Sequence, residues 1–271
     1  MSNREARNAL ETGKVFLKDA PTGDATRRVH PADISLRVDA PRTKVGRDVA
    51  YVYRDPHLVV VVKPSGLLSV PAPGRRREST LISKVKRAFK EAHVVHRLDQ
   101  PTSGLMLVAR TEACQLALKA LLEKHHIDRS YLALVAGRFP KGKQTVRSTL
   151  IRDRGDGRRG SGEAPDGKHA VTHLELVAHL GRNASLVEAR LETGRTHQVR
   201  IHLCELGFPI LGDPLYGPNR MPAPRLALHS HQLRFRHPIT GARLSFEAPL
   251  ADDLEKTRRG LISPPSHRRR R

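Results

Sequence analysis

Two kinds of hydrophobic spacing alternate along residues 50–250. Apolar side chains at every second position, or in short unbroken runs, predict strands at 57–63 (HLVVVVK), 104–109, 129–136 (RSYLALVA), 145–151, 171–178 (VTHLELVA), 184–191 (ASLVEARL), 225–235 and 243–248. Helical spacing is scarcer. Residues 79–92 place Leu81, Ile82, Val85, Ala88, Phe89 and Ala92 on one face and Lys84, Lys86, Arg87 and Lys90 on the other. Thr111 is an N-cap for a helix over 112–124, with Lys124 and His125 at its negative end. A third helix over 196–206 turns Val199, Leu203 and Leu206 inward, and Gly207 closes it. Strands in runs, with helices placed irregularly among them, predict an α+β fold. Its sheet is mixed but mainly antiparallel, with flanking helices, rather than doubly wound and parallel.

The two ends of the chain differ from this middle. In residues 1–41, Ser2 can cap a short helix to Leu10 or Glu11 that Gly13 ends; Val15-Phe16-Leu17 reads as a strand. Ile34, Leu36 and Val38 alternate with Ser35, Arg37 and Asp39 as a second strand after a Pro31-Ala32-Asp33 turn. The pattern predicts a small N-terminal α/β module, joined by a linker at 40–49 to a main domain at 50–250. Residues 153–168 (DRGDGRRGSGEAPDGK) read as a mobile surface loop. Residues 251–271, ending in SPPSHRRRR, read as a basic, disordered tail.

Charge narrows the class of partner. Lys and Arg number 49 against 27 Asp and Glu, a net charge of +22 over 271 residues. Such a surplus favours a polyanion, nucleic acid first. Cys114 and Cys204 each sit within an apolar helical pattern, as small core residues of a reducing compartment rather than a disulfide or zinc framework. The N-terminal MSNREARNAL lacks the apolar stretch of a secretory signal, and no run approaches the 18 or so apolar residues of a membrane span. A cytoplasmic protein is expected.

The segment with most chemical content is HRLDQPTSGLMLVAR, residues 96–110. Asp99 lies in a polar turn that a buried strand follows at once, which suits a carboxylate that is ionised and aimed. Asp99 is a candidate nucleophile or base, Arg195 a candidate cation, and Tyr131 a flat apolar face with a polar tip. Each has a plainer alternative. Asp99 could cap its own turn through the Thr102 and Ser103 amides, Arg195 could be a structural ion-pair partner, and Tyr131 an ordinary sheet residue. His197 and His202 are five apart without an HExxH pattern, and His229 and His231 lack an evident third ligand, so no metal site is expected.

HRLDQPTSGLMLVAR together with TGRTHQVRIHL (193–203), GFPILGDPLYG (207–217), KPSGLLSVP (63–71) and RSYLALVAG (129–137) resembles the RluA family of pseudouridine synthases over residues 50–250. Residues 2–40 are similar to the alpha-L type RNA-binding module, shortened by the loss of its usual first helix. The resemblance implies isomerisation of uridine to pseudouridine: the N1–C1′ bond breaks, the base rotates, and it rejoins through C5. Nothing is oxidised or hydrolysed, so no cofactor and no metal is implied. Asp99 would be the reacting carboxylate, Arg195 the cation that keeps it ionised and aimed, and Tyr131 the face for the flipped uracil and a base or proton relay. Arg97 would fill the space the nucleotide leaves and contact phosphate; His96 and Leu203 would complete the substrate contacts, Leu203 below the base. The implied partner is RNA, with large-subunit ribosomal RNA favoured and tRNA the alternative, and the implied state is a monomer. Two rivals remain at this stage. A noncatalytic ribosome-assembly factor would not need Asp99, Tyr131 and Arg195 together. A hydrolytic glycosidase would need a second carboxylate, for which Asp213, in a Gly-Asp-Pro turn, is the sole candidate.

Overall fold

The computed structural model describes residues 49–71, 79–153, 158–217 and 223–262 in full, and three short N-terminal strands by their backbone alone. The helix expected from Ser2, nearly all of the linker and residues 263–271 lie outside the described residues. The N-terminal strands are β1 (Val15–Leu17), β2 (Ala20–Pro21) and β3 (Ile34–Leu36), in a small antiparallel sheet ordered β2-β1-β3.

The rest is α+β, built on an 11-stranded sheet. In chain order its elements are β4 (Ala50–Arg54), β5 (Leu58–Lys63), α1 (Leu81–Phe89), β6 (His93–Val94), β7 (Ser103–Ala109), α2 (Glu112–Glu123), β8 (Ile127–Ala136), β9 (Lys143–Ile151), β10 (Gly160–Ser161), β11 (Lys168–Leu180), β12 (Ala184–Leu191), α3 (Gln198–Glu205), β13 (Leu228–Arg236), β14 (Arg243–Glu247) and α4 (Asp252–Ile262). The strands run β10-β9-β11-β12-β8-β13-β7-β5-β4, with β14 added to β13 and β6 to β7. Every pairing is antiparallel except β13 with β7.

The central strands explain the unbroken apolar runs. In β5 and β7 successive side chains point to opposite faces, and both faces are covered. Val59, Val61, Met106 and Val108 join the larger core with Leu81, Ile82 and Val85 of α1. Leu58, Val60, Leu105 and Leu107 join a second core with Cys114 and Leu118 of α2. Burial pushes the Cys114 thiol up to about 11, as befits an inert core residue.

Two helices are shorter than their periodicity suggests. Thr80 and Ser83 form a reciprocal capping box that starts α1 at Leu81, and Lys90, at φ +63°, stops it. His197 at φ +61° delays α3 to Gln198. β4 was not foreseen: AYVYR is an edge strand with mostly exposed side chains and so carries no alternation to read. The expected disordered tail needs correction over its first half. Asp252–Ile262 is a helix with acids in its first turn, Arg259 in its last, and Leu254 fully buried.

The parallel pairing of β13 with β7 sets the frame of the site. His229 pairs with Ser103 and Ser230 with Gly104, and Ser230 also stands opposite Tyr131 in β8. Gly104, Ser230 and Tyr131 thus form one row across three strands. Gly104 has φ +113°, and a Cβ there would stand 2.1 Å from the Ser230 carbonyl oxygen. Only glycine permits this approach. The turn carrying Asp99 therefore sits at a fixed distance from Tyr131.

Candidate active site

The turn that carries Asp99 is held from below by the 63–71 segment. The buried Lys63 ammonium donates to the carbonyls of Pro64 (3.1 Å), Leu67 (2.8 Å) and Gln100 (3.0 Å). Burial, with repulsion from Arg225, pulls its pKa down to about 7. The Gly66 amide also donates to Gln100 O, Ser65 Oγ to Pro101 O, and Ser69 Oγ to Leu98 O while accepting from the Leu98 amide. The Thr102 amide donates to the main-chain carbonyl of Asp99. The turn is thus closed by backbone and neighbouring side chains, and the Asp99 carboxylate is not what caps it.

That carboxylate faces α3. Arg200 Nη1 donates to Asp99 Oδ2 at 3.0 Å, and His197 Nε2 lies 3.7 Å from the same oxygen. Among the described residues no hydrogen bond reaches Oδ1. The Asp99 side chain is 27% exposed, whereas that of Arg200 is 3% exposed. Arg200 is itself fixed by Asp213, through Nε to Oδ2 at 2.7 Å and Nη2 to Oδ1 at 2.8 Å. Asp213 Oδ1 further accepts from the amides of Leu215 and Tyr216. Burial works against the Arg200 charge, but Asp213 first and then Asp99 outweigh it and raise its pKa. The Arg200 guanidinium also lies 5.1 Å from the centroid of the Tyr216 ring.

Arg195 does not make this contact, and its expected role is corrected. It is exposed on the loop before α3, its Nε donating to His169 O at 3.0 Å and its amide to Gln198 Oε1. Gln198 staples that loop to β11, accepting from Thr193 Oγ1 and donating to Val171 O and Thr172 Oγ1. Arg200 lies five residues later, on the helix face that also carries Leu203. The sequence held this signal. An arginine three residues before an inward leucine must turn toward the core, and a buried guanidinium needs carboxylates. Asp213 is therefore the anchor of the cation as well as part of a turn.

Tyr131 is buried in β8, and burial raises its hydroxyl pKa; the Asp99 charge adds to the rise, while Arg129 and Ser230 oppose it. Asp99 and Tyr131 are thus within electrostatic reach of each other. Arg97 is exposed beside the turn. His96 and Leu203 lie behind the turn and the strand that carry Asp99 and Tyr131. His96 Nε2 accepts the Leu107 amide at 3.1 Å, and burial, then Arg129, pulls the imidazole down to about 3. It is a neutral fastener of β7. Leu203 is fully buried in the core cluster that includes Tyr131 and Val199.

His197 was not singled out for the site, yet it faces Asp99. Its Nδ1 lies 3.1 Å from Tyr216 Oη, and burial lowers its pKa while Asp99 opposes the shift. The other histidines are engaged elsewhere: His202 between Thr172 and Ser148 hydroxyls, His229 with Ser103, His231 with Ala248 O. Among the described residues no three His, Cys, Asp or Glu side chains are grouped to hold a metal ion.

A carboxylate with one oxygen tied to a buried cation and the other without a partner among the described residues, near a buried phenol, suits reaction at a sugar carbon with proton transfer nearby. A family model described as RNA pseudouridylate synthase matches residues 57–205, and the chain belongs to that family. Its fold resembles that of human RNA pseudouridylate synthase domain containing 4, with a TM-score of 0.64 at 22% identity over 79% of this chain and 92% of that one. Among curated relatives it is 36% identical to a ribosomal large subunit pseudouridine synthase D of Zymomonas mobilis, over 94% of this chain and 88% of the relative. It is 41% identical to a dual-specificity RNA pseudouridine synthase RluA of Pasteurella multocida, over 74% and 92%. It is thus a pseudouridine synthase, an isomerase, of the RluA/RluD type.

Proposed function

We propose that Asp99 is the carboxylate that acts on the glycosidic bond, and that the substrate uridine lies in large-subunit ribosomal RNA. The observation that carries the first part is the pairing of Asp99 Oδ2 with the buried Arg200, with no hydrogen bond to Oδ1 among the described residues. Asp99 meets the positive character that develops at C1′ as the N1–C1′ bond breaks. The freed uracil turns over, C5 bonds to C1′, and the C5 proton leaves through Tyr131 while N1 gains one. Atoms balance with no other reagent.

A stacked uridine cannot reach this turn, so the nucleotide flips out, at a cost of a few kcal/mol. Exposed Arg97, next but one to Asp99, takes the vacated place and contacts phosphate. In this reading Arg97→Ala lowers kcat/KM on structured RNA by about 10- to 100-fold, since each 1.4 kcal/mol is tenfold. Melting temperature stays unchanged, because the side chain is exposed.

The substrate part is supported by the 36% identical relative named for the large ribosomal subunit. The relative named dual-specificity favours a second reading, in which a second kind of RNA is also modified, with tRNA the one to test. The chain acts as a monomer in the cytoplasm. The test incubates the purified chain with a large-subunit rRNA transcript and, separately, with unmodified tRNA, and maps pseudouridines at nucleotide resolution. New pseudouridine in rRNA is expected. Modification of tRNA alone would replace the substrate assignment, and modification of neither would reject it.

A further inference from the structure

The C-terminal helix, expected to be a disordered tail, makes a short chain of hydrogen bonds to the turn that carries Asp99. Asp253, in the first turn of α4, accepts from Arg225 Nε at 2.6 Å and from Arg225 Nη2 at 2.8 Å. The Arg225 side chain is 9% exposed and that of Asp253 45%, so the fork is buried on the guanidinium side and open to water on the carboxylate side. The other side of the guanidinium reaches the catalytic turn: Nη2 donates to Ser103 Oγ at 3.0 Å, and Nη1 lies 3.5 Å from Pro101 O. Nη1 also donates to Leu226 O at 3.1 Å, just ahead of β13. Ser103 Oγ is in turn 2.8 Å from His229 Nδ1.

Two cations therefore flank the carbonyls that follow Asp99. Lys63 takes Gln100 O from one side and Arg225 approaches Pro101 O from the other. They stand near enough for Arg225 to depress the Lys63 pKa. Asp253 is the carboxylate that forks Arg225, both orienting the guanidinium and balancing its charge.

We propose that α4 latches the catalytic turn and that Asp253 is a positioning residue. It holds Arg225 against Ser103 and Pro101, and so sets where the Asp99 carboxylate stands. The inference rests on the assignment of Asp99 above. It extends the working site to a helix that touches neither Asp99 nor Tyr131 directly. A displacement of about 1 Å at a reacting group can lower a rate by about 10²-fold, so a small slip of the turn is enough.

The test compares Asp253→Asn, Asp253→Glu and the unaltered full chain on the same RNA transcript, reading kcat at saturating RNA, KM and melting temperature. Asp253→Asn keeps size and loses the charged fork. It should lower kcat by about 10- to 100-fold while KM changes less than about twofold. Asp253→Glu should recover most of kcat. Ser103→Ala cuts the link at its far end without touching α4, and should lower kcat with the same unchanged KM; it decides the matter if Asp253→Asn does not fold. Full kcat in a folded Asp253→Asn would overturn the latch, as would equal losses in the Asn and Glu variants that track melting temperature. If the unaltered chain forms no pseudouridine, the substrate reading fails rather than the latch. The latch is then read from release of tritium on 5-tritiated uridine in total RNA, with the same expected ratios.

Discussion

Asp99→Asn should abolish pseudouridine formation while leaving the fold and RNA affinity nearly intact. The asparagine is isosteric, and its amide oxygen can still accept from Arg200 Nη1. Arg200 also keeps its bidentate bond to Asp213, so no buried charge is left alone. The side chain lies at a partly open surface, where losing one charge-assisted hydrogen bond costs about 1 kcal/mol. Catalysis has no such substitute. An amide can neither add to C1′ nor balance the charge that develops there. A loss of about 10⁴-fold or more is expected, in line with removal of a principal catalytic group. Release of tritium from RNA labelled at uridine C5 measures it directly, because the C5–H bond is broken in every turnover. RNA binding, measured separately, should stay within about twofold. Turnover within tenfold of the unaltered protein would remove Asp99 from the mechanism.

Arg200→Met carries two large effects that one further change can separate. The first is on stability. The Asp213 carboxylate has no exposed side-chain surface and relies on Arg200 for two of its hydrogen bonds. Removing one partner of a buried ion pair typically costs about 3–5 kcal/mol, because the other charge stays behind. The second is on rate. Without the guanidinium, Asp99 loses the contact that aims it, and a drop of about 10³-fold is expected. Adding Asp213→Asn should recover much of the stability, since the amide oxygen can still accept from the Leu215 and Tyr216 main chain. It should recover none of the rate. Denaturant unfolding and single-turnover kinetics on the single and double variants read the two effects apart. A double variant with near-normal rate would show that Arg200 serves only to satisfy Asp213.

The contrast between Arg200 and Arg195 shows where the sequence ceases to be explicit. The motif TGRTHQVR offers two arginines, and its pattern alone favours the one flanked by small polar residues. What decides between them is the phase of α3, in which Arg200 shares the inward face of Leu203, while the left-handed His197 keeps Arg195 outside the helix. The helix phase then carries Arg200 inward and leaves Arg195 on the surface. The turn that carries Asp99 and the strand that carries Tyr131 were legible because local pattern fixes both. So were β5 and β7, buried on both faces, and the Thr111 cap of α2. The partner of His96 was hidden for the opposite reason. His96 accepts a hydrogen bond from a strand amide eleven residues on, and such tertiary partners leave no trace in spacing. The terminal arginines hid α4: their charge dominated a stretch whose first turn, Asp252-Asp253-Leu254-Glu255, already had the acids of a helix start.

The order of the strands has a bearing on how the molecule is made. β7 and β8 follow one another along the chain, with only α2 between, yet they are not neighbours in the sheet; β13 stands between them. A ribosome that has released residues up to 205 has already delivered Asp99, Tyr131 and Arg200. The slot between their supporting strands is still vacant, however, and Gly104 has no Ser230 to lie against. β13 fills that slot, and its pairing with both strands sets their separation. A strand that follows Asp99, Tyr131 and Arg200 in the chain therefore spaces the elements that carry them, so a polypeptide ended before β13 would hold all three side chains without the separation that β13 imposes.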